Sequence, residues 1–321
     1  EITIGDWSSD VCSSDLFEPS RTMFRVVKTL CSCSGRRLLP FVSTRSLHEL
    51  SHESFHNLWD DVRSGSGDHL NIQVSESVTE TEFIDFVSMC GQQTHPVIDS
   101  FVLYNYPLSQ RIVTTLCEQF PNPGFSSLHT LNLGNTGIST DQLTSLLASL
   151  QSSPSHLVTL QIDSLSSLHG NLGDWKLFPN SFASLRELCV DSDQLTTEGI
   201  RPLLELIHGD HLSEIRTLTL RENRLDDAGC MELIQGIHSH CKRIRSLGLS
   251  LNSFSDSFLK ELSLLFKKNY LPSLGEIQLL SSSVPSRYVS EAGLAFCREC
   301  ASLDRDLAQY GVFQRVAGDE E

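Results

Sequence analysis

The 321-residue chain is 39% hydrophobic and 20% charged, and 24 Lys+Arg against 40 Asp+Glu give a formal net charge of -16. This length and apolar content suffice for a sizeable core, which excludes wholesale disorder, and the apolar residues come in short spaced groups rather than the run of about 18 that a membrane span needs. The acidic balance repels phosphate backbones and no Lys/Arg stripe with interleaved aromatics offsets it, so nucleic acid and membrane are not expected as partners, whereas a protein of basic character is.

Residues Asp6 to Leu16, DWSSDVCSSDL, show no apolar periodicity and resemble the in-frame translation of a sequencing-library adapter, with Glu1 to Gly5 as the index region upstream. Residues 1–16 are therefore set apart from the fold, and Met23 is the expected initiator. From there to Glu49 the chain carries Arg25, Lys28, Arg36, Arg37 and Arg45 and no acidic residue. Two readings of this leader stay open. One is a disordered or untranslated-region-derived segment on a cytoplasmic protein; the other is a mitochondrial transit peptide, which such Arg- and Ser-bearing, acid-free leaders resemble. Ten scattered Cys and the lack of any Asn-x-Ser/Thr acceptor favour a reducing intracellular setting.

Within residues 17–66, His48-Glu49-Leu50-Ser51-His52 matches HExxH and is followed by His56. On a helix, residues four apart share a face, so His48 and His52 could bind zinc while Glu49 polarises a water. Glu53 directly after the second His, the short flanking stretch and twelve His in the chain weigh against this. A capping or linker helix with Leu47, Leu50, Phe55 and Leu58 as its apolar residues is expected instead, with no catalytic residue, metal or other cofactor. Residues 67–97 read as a degenerate N-terminal capping repeat, Leu70 and Ile72 preceding a helix from Thr79 to Met89.

From Ile98 a repeat of the form L-x-x-L-x-L-x-x-N-x-L, followed by G-x-x-x-L-x-x-x-L, runs through residues 98–303. Its clearest unit is Ile215, Leu218, Leu220, Asn223, Leu225, then Gly229, Leu233 and Ile237; the next is Ile244, Leu247, Leu249, Asn252, Phe254, then Phe258, Leu262 and Phe266. Units start at Ile98, Leu128, Leu157, Leu185, Ile215, Ile244 and Leu274. L-x-L places two apolar residues on one face of a short strand, while leucines four apart after the Gly line one face of a helix. Ser139 with Gln142 reads as a capping box, and Asp226 and Ser255 stand at N-cap positions. The unit beginning at Leu157 lacks a clear helix, since Gly170, Gly173 and Pro179 interrupt it; Trp175 and Phe178 are expected to cover the core there. One unit cannot cover its own apolar face, so units must stack strand beside strand. Residues 304–321 read as a tail.

Units of this length with a full helix resemble the ribonuclease-inhibitor type of leucine-rich repeat. The resemblance implies an α/β horseshoe solenoid with a parallel concave sheet and convex helices. It also implies that the Asn slot bridges backbone groups of adjacent turns, which assigns Asn223 and Asn252 a structural role; Tyr106, Thr136, Leu165, Asp193 and Ser282 occupy the slot elsewhere. It implies no single function. Cys297-x-x-Cys300 and Cys31-x-Cys33 read as buried or edge thiols, and no nucleotide-binding or nucleophile-elbow motif occurs.

The strand positions between and just after the two core residues point away from the core and form a readable ladder: Tyr104, Asn105; Asn132, Asn135; Gln161, Asp163; Asp191, Ser192; Arg221, Glu222; Gln278, Ser281. The expected partner-binding residues are Tyr104, Asn105, Asn132, Asp163, Asp191, Arg221, Glu222 and Gln278, with Tyr104 and Arg221 as anchors. The reading is a non-enzymatic interaction module. Its alternatives are a GTPase-activating protein like the Ran activators, which share the repeat type and an acidic end (here Asp319, Glu320, Glu321), and the ligand-sensing part of an immune-type receptor.

Overall fold

A computed structural model describes residues 47–51, 62, 70–153, 156–163, 172–192, 194–279, 295–296 and 310–311. The adapter-like residues and leader, His52 and His56, Asp193, the pairs at Cys31/Cys33 and Cys297/Cys300, and residues 312–321 lie outside this set.

Among the described residues, ten strands form one sheet in strict chain order, every neighbouring pair parallel. They are β1 (Leu47–Leu50), β2 (Leu70–Val74), β3 (Ile98–Val102), β4 (Thr130–Asn132), β5 (Thr159–Asp163), β6 (Glu187–Asp191), β7 (Thr217–Thr219), β8 (Ser246–Gly248), β9 (Glu276–Gln278) and β10 (Tyr310–Gly311). Parallel neighbours need a crossover, and among the described residues a helix supplies it between β2 and β3, β3 and β4, β4 and β5, β6 and β7, β7 and β8, and β8 and β9. The register follows the repeat: Ile72, Phe101, Leu131, Leu160, Leu188, Leu218, Leu247 and Ile277 form one continuous column of Cα partners. All eight are buried, as are Leu103, Leu133, Ile162, Val190, Leu220, Leu249 and Leu279 in the column two residues on.

Six helices are described: α1 (Glu80–Gly91), α2 (Gln110–Gln119), α3 (Thr140–Ser152), α4 (Arg201–His208), α5 (Asp227–His240) and α6 (Asp256–Lys267). Thr79 with Glu82 and Ser139 with Gln142 close capping boxes, and Ser109, Asp226 and Ser255 cap three more by accepting from backbone N–H groups. Each cap satisfies amides that the first turn leaves without partners. Leu143, Leu146, Leu147 and Leu150 of α3, and Leu233, Ile234 and Ile237 of α5, bury their apolar faces. Consecutive helices pack on each other except where the unit from Leu157 intervenes between α3 and α4. There the described residues form only 3-10 turns at Trp175–Leu177 and Pro179–Ser181, and Trp175, fully buried, stacks on Phe182 at 5.3 Å. Phe178 packs against the same core. Helices pack about 8–10 Å apart and strands about 4.8 Å apart, so a layer of each can stay in register only if the sheet curves inward. The sheet is the concave side of an α/β leucine-rich-repeat-like solenoid.

Adjacent turns are tied by the two asparagines. Asn223 accepts from the Leu195 N–H (2.9 Å) and donates to the Val190 carbonyl (2.9 Å); Asn252 accepts from Leu225 N–H (3.0 Å) and donates to the Leu220 and Leu249 carbonyls (2.7 and 2.9 Å). Both are buried. The family-implied structural role is what these contacts perform.

Three boundaries differ from the sequence reading. Leu47–Leu50 is a strand, not a helix, paired with Leu70–Val74, and His48 falls opposite Ile72 in the core column. The paired face of β2 extends the sheet there, and a strand does not carry residues four apart on a helical face, so the expected capping helix and the HExxH geometry are both absent at 47–50. The unit of β2 and α1 is consequently not terminal, because β1 lies outside it. Tyr310–Gly311 pairs with β9 and adds a rung inside the stretch read as tail.

Candidate functional site

The face of the sheet turned away from the helices is built from three columns. One holds the residue between the two core positions (Val102, Asn132, Gln161, Cys189, Thr219, Gly248, Gln278), in continuous register from β3 to β9. The second holds the residue after them (Tyr104, Gly134, Asp163, Asp191, Arg221, Ser250). The third holds the residue before them (Ser100, Thr130, Thr159, Glu187, Thr217, Ser246, Glu276), which the sequence reading passed over. Strand alternation was the signal for it, because residues two apart share a face.

Past the strands the chain must turn toward the helices, and it does so in the left-handed region at Asn105, Asn135, Ser192, Glu222 and Leu251, with φ from 54° to 65°. Asn tolerates this region; Leu251 holds it at a steric cost.

Side chains on this face are bonded both within a rung and from rung to rung. Asn132 donates to Gln161 Oε1 (2.8 Å) and accepts from the Gly134 N–H (2.9 Å), and Gln161 donates to Asp163 Oδ1 (3.4 Å). Asn135 donates to Asn105 (2.8 Å), Ser192 to Glu222 (2.8 Å), and Gln278 to Glu276 (2.6 Å). Gly134 leaves a gap into which Tyr104 and Asp163 close from the two neighbouring rungs: a Cβ there would lie 2.3 Å from Asp163 Oδ1 and 2.8 Å from Tyr104 Cδ2.

Arg221 is spoken for. Its Nη2 and Nε stand 2.6 and 2.8 Å from Asp191 Oδ2, and its backbone N–H donates to Asp191 Oδ1 at 2.8 Å. It is therefore an internal partner of a buried carboxylate rather than a free anchor.

Of the eight residues expected to bind a partner, Asn132, Asp163 and Asp191 are buried and shape the face from beneath. Tyr104, Asn105, Arg221, Glu222 and Gln278 keep exposed or half-exposed surface. The structure groups Tyr104, Asn105, Asn132 and Asp163 on β3 to β5 and Asp191, Arg221 and Glu222 on β6 and β7, with Gln278 two rungs beyond. Among the described residues of the three columns and the turns of β3 to β9 there are five carboxylates (Asp163, Glu187, Asp191, Glu222, Glu276), of which Asp163 and Asp191 are buried, and one guanidinium, that of Arg221.

The chemistry of the thiols is subdued. Burial pushes the Cys189 thiol, in the middle of the face, well above its ordinary value, with the Asp191 charge adding to it. Burial also raises Cys90 and Cys230, and raises Cys241 to about 12, so these sulfurs stay protonated and poorly nucleophilic. Among the described residues no group of three His, Cys, Asp or Glu is placed to hold a metal ion, and no helix is long and apolar enough to cross a membrane.

No family model matches the chain, and no curated protein matches it. Solved structures that it resembles include a protein from Bacteroides fragilis, at 13% identity over 74% of each chain with a TM-score of 0.41. Another is an internalin from Listeria monocytogenes, at 14% identity over 77% of this chain and 67% of that one, with a TM-score of 0.35.

Proposed function

We propose that this chain is a non-enzymatic protein-binding module of the ribonuclease-inhibitor type of leucine-rich repeat, and that its concave face takes a basic protein surface. One observation carries the reading. Three concave carboxylates of β3 to β9, Glu187, Glu222 and Glu276, keep exposed or half-exposed surface while the Arg221 guanidinium is taken up by buried Asp191, and hydrogen bonds already fix the three side chains. A face whose polar groups are ordered before binding loses less side-chain entropy when a partner arrives. Its sign of charge favours encounter with a cationic surface and disfavours nucleic acid. Tyr104 supplies an amphipathic ring at one end of the face, and Glu222, exposed at the end of β7, supplies the most accessible charge.

The test is affinity purification with the wild-type chain, a concave variant (Tyr104→Ala, Glu222→Gln, Glu276→Gln) and a convex control (Lys260→Glu), followed by mass spectrometry. A protein retained by the wild type and the control and lost from the concave variant supports the reading. Retention by the concave variant with loss from the control overturns it.

A further inference from the structure

Arg186, Arg216 and Arg245 share one repeat position, two residues ahead of the first core residue of β6, β7 and β8. The Arg216 N–H donates to the Arg186 carbonyl and the Arg245 N–H to the Arg216 carbonyl, both at 2.7 Å, so the three stand on consecutive rungs. At about 4.8 Å per rung the first and third are about 10 Å apart. All three are exposed. Elsewhere among the described residues, Arg111, Arg201, Arg221 and Arg243 are each held by a carboxylate, those of Glu80, Glu198, Asp191 and Glu214, and Arg224, which has no ion pair, faces Thr196 rather than another arginine across the rung. Arg186 and Arg216 have no ion pair, and Arg245 donates to a backbone oxygen, that of Ser273, at 3.3 Å. In a chain with an excess of 16 negative charges, three arginines on consecutive rungs without a carboxylate partner are a local reversal of sign. The Debye length of about 8 Å at physiological salt keeps distant acids from cancelling it.

The ends of this ladder limit what fits. In the neighbouring column the middle rungs carry the hydroxyls of Thr217 and Ser246, while Glu187 and Glu276 stand on β6 and β9. Glu187, next to Arg186 on its own rung, accepts from the Thr159 hydroxyl on the far side (3.2 Å), and a long polyanion running past Arg245 would meet Glu276 on the next rung. No aromatic side chain lies on β6, β7 or β8 to stack a base. An extended peptide advances about 3.4 Å per residue, so three or four residues cover the arginines and stop short of Glu276.

We infer that the Arg186, Arg216 and Arg245 ladder is a second docking site, separate from the concave columns, that takes a short acidic segment of a partner protein. The site goes beyond the concave-face reading and has the opposite charge preference.

The probe is a fluorescein-labelled octapeptide with four consecutive glutamates flanked by Gly and Ser, titrated into the full chain by anisotropy at low ionic strength. Each of Arg186→Gln, Arg216→Gln and Arg245→Gln is expected to weaken binding roughly two- to fivefold, and the three together roughly tenfold or more. Arg111→Gln, Arg201→Gln and Lys260→Gln combined remove the same charge elsewhere and are expected to stay within about twofold. Glu222→Gln should leave this peptide's affinity unchanged, which separates the site from the concave face. The inference is overturned if the wild type does not bind the peptide, if the ladder variant binds as well as the wild type, if the charge-matched control loses as much, or if a thymidine oligonucleotide binds more tightly than the peptide.

Discussion

Asn252→Ala removes three hydrogen bonds from a fully buried side chain and puts nothing in their place. The Leu225 N–H loses its acceptor on a buried rung, and an unsatisfied buried donor costs about 1–3 kcal/mol. The carbonyls of Leu220 and Leu249 each lose a donor as well, which brings the expected loss to about 3 kcal/mol. Since every 1.4 kcal/mol is about a factor of ten, hydrogen exchange at the Leu225 amide should quicken about 100-fold. Stacked repeats interact with their neighbours, so the Leu103 amide, bonded to Asn132 far along the sheet, should be little affected. Asn252→Asp keeps an acceptor and loses the donors. Its carboxyl, buried against two carbonyls, would have a raised pKa, so that variant should be most stable below about pH 4, where the acid is protonated and donates, and should lose stability as the pH rises through the raised value. Unchanged protection at Leu225 in Asn252→Ala, or an equal loss at Leu103, would refute the assignment of Asn252 as the tie between adjacent turns.

Leu220→Ala or Leu249→Ala should destabilise by about 2–5 kcal/mol in chemical denaturation, because each empties part of the second core column; a loss under about 1 kcal/mol would place that column outside the core. Asp226→Ala should cost about 1 kcal/mol through the lost cap of α5 while Asp226→Asn holds most of it. Bonds from the Gly229 N–H and the Thr197 hydroxyl hold the Asp226 carboxyl below its usual range, so its contribution is present above about pH 4 and is lost as the pH falls through the depressed value; a pH-independent difference between wild type and Asp226→Asn would contradict this. Gly134→Ala should cost about 1–3 kcal/mol by driving a methyl between Tyr104 and Asp163, and Asp163→Ala in the same chain should recover part of it; a thermal midpoint unchanged in the single variant would show that the gap is not filled.

The repeat was readable because one physical requirement recurs in every unit: L-x-L must put two apolar residues on the buried face, and the resulting columns are those of the structure. Helix starts were readable at Ser139, Asp226 and Ser255, since short polar side chains satisfy first-turn amides in a local contact that sequence alone encodes. β1 was hidden because His48 occupies the column where other rungs hold Leu, Ile or Phe, and the HExxH spacing suggested a helix. β10 was hidden because two residues carry no alternation. On the concave face, sequence told which residues sit on it but not how they pair. Arg221 looked like an anchor until Asp191, thirty residues earlier in the chain, was found across the rung, and the role of Gly134 depends on side chains from both neighbouring units.

The most direct test of concave-face binding is carbodiimide labelling of carboxylates in the chain alone and with the partner recovered by affinity purification. The concave Glu222 and Glu276 should lose reactivity on binding, while Glu205 on α4 and Glu261 on α6, both exposed on the helical side, should label as before. Protection of Glu205 and Glu261 with unchanged labelling of Glu222 and Glu276 would contradict the account.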